Sequence, residues 1–472
     1  MNHSIQMKKA FIYIFVVLLA CTSACTDDVL DKIDTNPNSP TSVPDNMLLT
    51  NIITTTSFAV SGTDLAWYSS VFVEHTTGVH GQLEQADKRT GINATIGNNS
   101  WNTLYAGVLA DIEVLIKQAN EKGNFHYSGI AKVMKAYNLG IATDLWGRIP
   151  YSEALKGVDN RTPQYDNQQD IYTALQTILD EAIADLAKTS TATPTGDDMI
   201  YGGDVAKWTK TAWALKARFY NRLSKVDPTG SATSALQATQ NAYANASESC
   251  IFNKFTTDAT GQHPWFQELN DRSHHAVSQT FGDLLTGLND PRLALFVADI
   301  PAGGKSYAPN GASQNDQSAL LYSRASSNVL SATSPLQLVT FDEVKFIEAE
   351  AQLRLGNQSA ANTAYQEAVT ATMARQGVDA ADITTYLAQA VVSPTNVTQN
   401  EIMTQKYISF WLFQPIEAYN DYRRTGIPTL TNTVGPAPRR FPYPTGELSN
   451  NAVNVPTTTV TAGVWWDDQT ED

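Results

Sequence analysis

Cysteine is nearly absent from this chain. Of three in 472 residues, Cys21 and Cys25 stand at its head and Cys250 is alone in its body. With no second body cysteine there is no intramolecular disulfide framework, so packing must hold the fold. Long apolar runs are missing too. The run Ala10–Ala20 has 11 residues, against about 20 for a helix that crosses a bilayer, and nothing after residue 25 is apolar for long enough. Positive charge is in deficit: 32 Lys and Arg face 47 Asp and Glu, a formal charge of −15. Such a surface repels phosphate backbones and anionic lipid, which excludes nucleic acid and electrostatic membrane docking.

Catalytic signatures are equally scarce. The sequence has no Gly-x-Ser-x-Gly elbow, no Gly-x-x-x-x-Gly-Lys loop and no His-Glu-x-x-His. His274 and His275 are adjacent, and His75 and His80 are five apart; neither spacing suits a helical metal face or a zinc motif. No catalytic residue, metal or cofactor is expected. A structural calcium ion is compatible with an acidic exported protein, but no loop has its ligand spacing. Glycosidase carboxylates carry no local signature, so a surface glycan hydrolase stays open as an alternative.

What is present begins at the N-terminus. Lys8 and Lys9 precede the apolar run, which ends at Cys21 and Cys25 and opens onto Thr26, Asp27 and Asp28. That is the head of an exported, lipid-tethered protein: a signal peptide over 1–24, with Cys25 as the lipidated residue and Cys21 as the alternative. Met7 is an alternative start, and an ordinary secretory peptide is the plainer reading. Residues 25–45 are polar and carry Pro37, Pro40 and Pro44, which reads as a spacer. An acyl anchor would keep an acidic body at a membrane without basic patches.

The rest, 46–472, is dominated by helical periodicity. Leu104, Val108, Ile112, Leu115 and Ala119 recur at three and four, and after Gly123 and Asn124 the pattern resumes from Ile130 to Leu145. A second pair spans Ile171–Leu186 and Val205–Leu223, a third Phe341–Leu355 and Ala360–Met373, and one long helix is expected over Gln399–Arg424. The fold class is therefore mainly all-α, a tetratricopeptide-like scaffold of helix pairs. Regularity fails over 226–335, which reads as an irregular, loop-rich lobe of the kind that carries function.

Charged motifs have local explanations. Arg423 and Arg424 close a helix before Gly426 and Pro428, where basic residues complement the macrodipole and can pair with Glu417 or Asp421. Glu350 precedes Arg354 by four residues, a helical ion-pair spacing, whereas Glu348 and Glu350 point to different faces and make a poor catalytic pair. Aromatics are the better ligand candidates. A sugar ring needs a flat apolar face with amides or carboxylates at its rim, and Trp67, Tyr68, Trp101, Asn102, Trp265, Tyr307 and Asn310 fit that need in or beside loops. Trp146, Trp208, Trp213 and Trp411 lie in helical stripes and should pack; Trp465-Trp466-Asp467 reads as a plug that pins the tail.

Several stretches together resemble one family. The spacer from Cys25 to Asn38, Thr143-Asp-Leu-Trp-Gly-Arg-Ile-Pro-Tyr-Ser-Glu-Ala154, Glu343-Val-Lys-Phe-Ile-Glu-Ala-Glu-Ala351, Gln405–Phe410 with Glu417–Gly426, Arg439–Pro444 and the terminal Trp-Trp-Asp look like SusD/RagB outer-membrane lipoproteins. The resemblance implies a tetratricopeptide-like fold with an irregular lobe. It further implies capture of nutrient, most often oligosaccharide, for a partner SusC-like TonB-dependent transporter at the cell surface, without catalysis. Ligand residues do not transfer by pattern. A peptide-binding import lid and a purely structural partner of the barrel remain alternatives.

Overall fold

The computed structural model describes residues 43–312 and 321–470. The signal-peptide reading, Cys21, Cys25 and nearly all of the 25–45 spacer lie outside the described residues. Residues Asp45–Asp472 form one compact unit, and it is helical with two small sheets. Among the described residues no helix is long and apolar enough to cross a membrane.

Helix pairs make the scaffold, as the periodicity implies. Ala110–Lys122 packs on Phe125–Trp146, which packs on Gln168–Leu186; Val205–Arg222 follows, and Phe341–Arg354 packs on Gln358–Arg375. Turns between them follow local chemistry. Gly123 ends its helix at φ +72°, a left-handed cap that a side chain disfavours, and Thr398 with Glu401 forms a reciprocal capping box. Alanines let neighbouring helices approach: Ala217, Ala232, Ala235, Ala238, Ile347 and Ala351 form one buried cluster. That cluster includes Pro228–Thr239, so the segment 226–335 opens with a regular scaffold helix.

The expected single helix Gln399–Arg424 is two. Gln399–Ser409 ends before a sharp turn in which Leu412 has φ +67°, and Pro415–Thr425 begins a new helix. Pro415 has no backbone N–H and suits a first helical position but not an interior. The break places the Trp411 ring between Phe281 and Phe296, stacked at 4.9 and 5.0 Å. Glu350 also differs from expectation. It turns inward and bonds Arg424 at 2.7 Å and Lys406 at 3.4 Å, while Arg354 donates to Asn221 and Ser231 instead. A buried carboxylate is drawn to the nearest buried cations, and these come from other helices.

Those groups belong to a buried ionic seam. Arg218 and Arg222 of Val205–Arg222 meet Glu343, Asp144, Glu417 and Asp421, and Lys406 pairs with Asp421 at 2.9 Å. Lys406, Arg424 and Arg222 hold the Asp421 carboxyl far below the usual carboxylate range against the opposing effect of burial. Arg423 and Arg424 are thus structural, Arg424 pairing with Asp421 at 3.0 Å. At the C-terminus Trp466 is fully buried beneath the guanidinium groups of Arg222 and Arg423, and Asp467 bonds Lys225 and Arg439.

Two short antiparallel pairings fasten the irregular segment. Cys250–Phe252 pairs with Leu336–Val339 near its two ends, and His275–Val277 pairs with Thr76–Gly78. Gly78 is required there because a Cβ would sit 2.0 Å from the Leu83 carbonyl oxygen. The second pairing brings Gln82 and Arg272 to one cleft.

Candidate functional site

A cleft of about 390 Å³ opens where four stretches meet. The helix Asp64–Phe72 supplies Asp64, Trp67 and Tyr68. Gln82 follows the strand Thr76–Gly78, and Arg272 precedes its partner His275–Val277, so the strand pairing brings these two side chains to one rim. Asn99 and Ser100, from the helix Asn98–Asn102, with Thr103 close the far wall.

Trp67 is half-buried and Trp265 fully buried behind it, the rings meeting edge to face at 6.4 Å and 74°. Tyr68 is wedged against Phe72 and Phe441, and its hydroxyl donates weakly to Gln82 Oε1 at 3.5 Å. Burial, reinforced by the Asp64 charge, pushes the Tyr68 phenol up to about 12, so it remains a proton donor at neutral pH. Burial raises the Asp64 carboxyl, while Arg272 and a hydrogen bond from Asn99 oppose the rise. Arg272 is exposed and makes no ion pair within 4.0 Å among the described residues. A flat indole, a phenol donor, two amides, an acid and a guanidinium therefore line one opening. The set can stack on an apolar face and exchange hydrogen bonds with hydroxyls around its edge.

The structure treats the seven candidate residues differently. Trp67 and Tyr68 share the cleft. Trp101 is buried, packed by Tyr105, Trp146, Tyr165 and Tyr443, and Trp265 is core. Asn102 is exposed and does not line the cleft. Tyr307 covers Gly282, where a Cβ would lie 2.3 Å from its ring, and its hydroxyl meets Thr286. Asn310 donates to Thr77 and Asp87, away from the cleft. Asp64, Gln82, Asn99 and Arg272 are new from the structure. Asp64 lies three residues before Trp67, one helical turn, which is a readable signal; Gln82 and Arg272 are joined only by strand pairing. Among the described residues no group of three or more His, Cys, Asp and Glu is placed to hold a metal ion.

Residues 37–444 match the family model SusD-like_2, described as starch-binding and associating with the outer membrane. A SusD/RagB family protein from Bacteroides thetaiotaomicron is 28% identical, with a TM-score of 0.80 over 91% of this chain and 100% of that one. A chitin-binding protein is 26% identical, with a TM-score of 0.79 over 90% and 100%. A chitin-binding SusD homologue from Flavobacterium johnsoniae, 20% identical over 90% and 99%, shares the fold with a TM-score of 0.77. No curated protein matches the chain. Sequence and architecture together thus place this chain in the SusD-like family.

Proposed function

We propose that this protein is a cell-surface, lipid-anchored binding protein that captures oligosaccharide in the Trp67–Tyr68 cleft and delivers it to a SusC-like TonB-dependent outer-membrane transporter, without catalysis. The observation that carries the reading is the cleft itself: an indole face ringed by Tyr68, Gln82, Asn99, Asp64 and Arg272. Glycoside hydrolysis uses two facing carboxyl groups, and Asp64 is the one carboxylate among the residues lining the cleft. The family description as starch-binding and outer-membrane-associated, and the chitin-binding names of two similar structures, support saccharide over other ligands.

The mechanism is capture and hand-over. A shallow aromatic site with a few hydrogen bonds gives roughly −4 to −8 kcal/mol, on the order of millimolar to micromolar affinity, which suits a ligand that must leave again. An acyl chain on Cys25, or on Cys21, and the 25–45 spacer would confine the body near its transporter, making that second contact effectively intramolecular. Titration of starch and chitin oligosaccharides beside a panel of extended peptides tests the reading. Saccharide binding with no release of shortened product supports it; binding of peptides alone, or glycan cleavage, contradicts it.

A further inference from the structure

The helical stretch that gives the cleft Asn99, Ser100 and Thr103 continues as a π-helical turn, Thr103–Leu109. Such turns widen a helix and displace side chains, and they occur often at functional sites. Here Tyr105 and Leu109 of that turn line a second, larger cleft of about 450 Å³. Its inner wall is apolar, with Leu109, Leu139 and Pro150 all buried. Tyr105 is fixed there, its ring on Trp101 at 4.7 Å and its hydroxyl donating to the Pro150 carbonyl at 2.8 Å. Tyr151 lies at the mouth with the Lys135 ammonium 5.6 Å from its ring centre, and Lys135 Nζ pairs with Glu113 Oε1 at 2.6 Å.

The loop that closes this cleft holds Leu155 at φ +62°, a costly conformation for leucine, and leaves the residue 41% exposed. Glu113 and Lys135 cancel each other in charge, so an ion of either sign gains little. A purely apolar ligand would strip both of water without replacing their hydrogen bonds. A ligand with an apolar face and a hydroxyl edge satisfies every wall: the face on tyrosine and leucine, the hydroxyls donating to Glu113 and accepting from Lys135.

We infer that this second cleft, between the π-helical turn and the Tyr151–Leu155 loop, is a further binding site for a neutral saccharide. It rests on the reading of the protein as a saccharide binder but uses different residues.

The test is calorimetric titration of the folded protein with maltohexaose and chitohexaose, for the wild type, Trp67→Ala, Tyr151→Ala and Glu113→Gln. Two saccharide sites are expected in the wild type. Tyr151→Ala should weaken one of them at least tenfold while Trp67→Ala weakens the other. Glu113 is 42% exposed, so Glu113→Gln keeps the fold and carries the test if Tyr151→Ala does not fold. A single site lost in Trp67→Ala and untouched in both second-cleft variants overturns this inference and leaves the proposed function standing. Binding lost only in the second-cleft variants supports the inference and moves the principal site away from Trp67. No binding by the wild type to either sugar removes the inference together with the function on which it rests.

Discussion

Arg218 and Glu343 form a bidentate pair in the interior, Nε to Oε1 at 2.6 Å and Nη2 to Oε2 at 2.7 Å, with both side chains at 5% exposure or less. The pair joins two helices 125 residues apart in sequence. Arg218 also donates to the Leu338 carbonyl, and Gln414 donates to Glu343, so one carboxylate links both helices to the turn before Pro415. Glu343→Ala should therefore destabilise the protein by about 3–5 kcal/mol, because it leaves a buried guanidinium short of its partner. Replacing both members with apolar residues of similar volume should cost less than the single change. Urea unfolding of the two variants checks the order.

Burial lowers His75, His263 and His275 to about 3, against about 6.5 in an unfolded chain. Between those values the unfolded state binds the protons, so their stability contribution is complete above pH 6.5 and is lost as pH falls toward 3. Burial acts oppositely on Asp87 and Glu268, both raised to about 7; there the folded state binds protons, and stability falls as pH rises from about 4 to 7. In proton NMR three of the seven histidines should show no titration between pH 8 and 5. Titration of His75, His263 or His275 in that range contradicts their burial.

Cys250 is buried, and burial pushes its thiol well above the usual value. It should resist a thiol reagent in the native protein at pH 8 and react at once in urea, since thiolate and access are both needed. Rapid labelling of Cys250 in the native state would show that the strand Cys250–Phe252 is not held as described.

The helices were largely legible because their signal is local: apolar residues at three and four, with Gly123 as a stop. The break at 410–414 was hidden by the continuous periodicity on either side of Pro415. Site residues were harder. Trp101 and Trp265 have the same residue type and loop-edge setting as Trp67, yet they are core: Tyr443, distant in sequence, packs on Trp101, and Trp265 is enclosed between His275 and Trp67 itself. Gln82 and Arg272 could not be grouped from sequence, since only the pairing of Thr76–Gly78 with His275–Val277 brings them together.

Trp265 should behave as a support for Trp67. Trp265→Ala removes a fully buried indole, which costs about 3–5 kcal/mol in a well-packed core, and also frees the Trp67 ring. Its effect should appear in both the unfolding midpoint and ligand affinity, whereas Trp67→Ala should lower affinity with a smaller change in stability. Thermal unfolding beside titration separates the two.

As the stacking face of the proposed saccharide site, Trp67 should carry much of the affinity. Calorimetric titration of chitohexaose and maltohexaose into wild type and Trp67→Ala tests it most directly. Wild-type affinity should fall in the millimolar to micromolar range, with a loss of at least about tenfold at this site in the variant, equivalent to about 1.4 kcal/mol. Unchanged affinity and stoichiometry in a folded Trp67→Ala protein would contradict it.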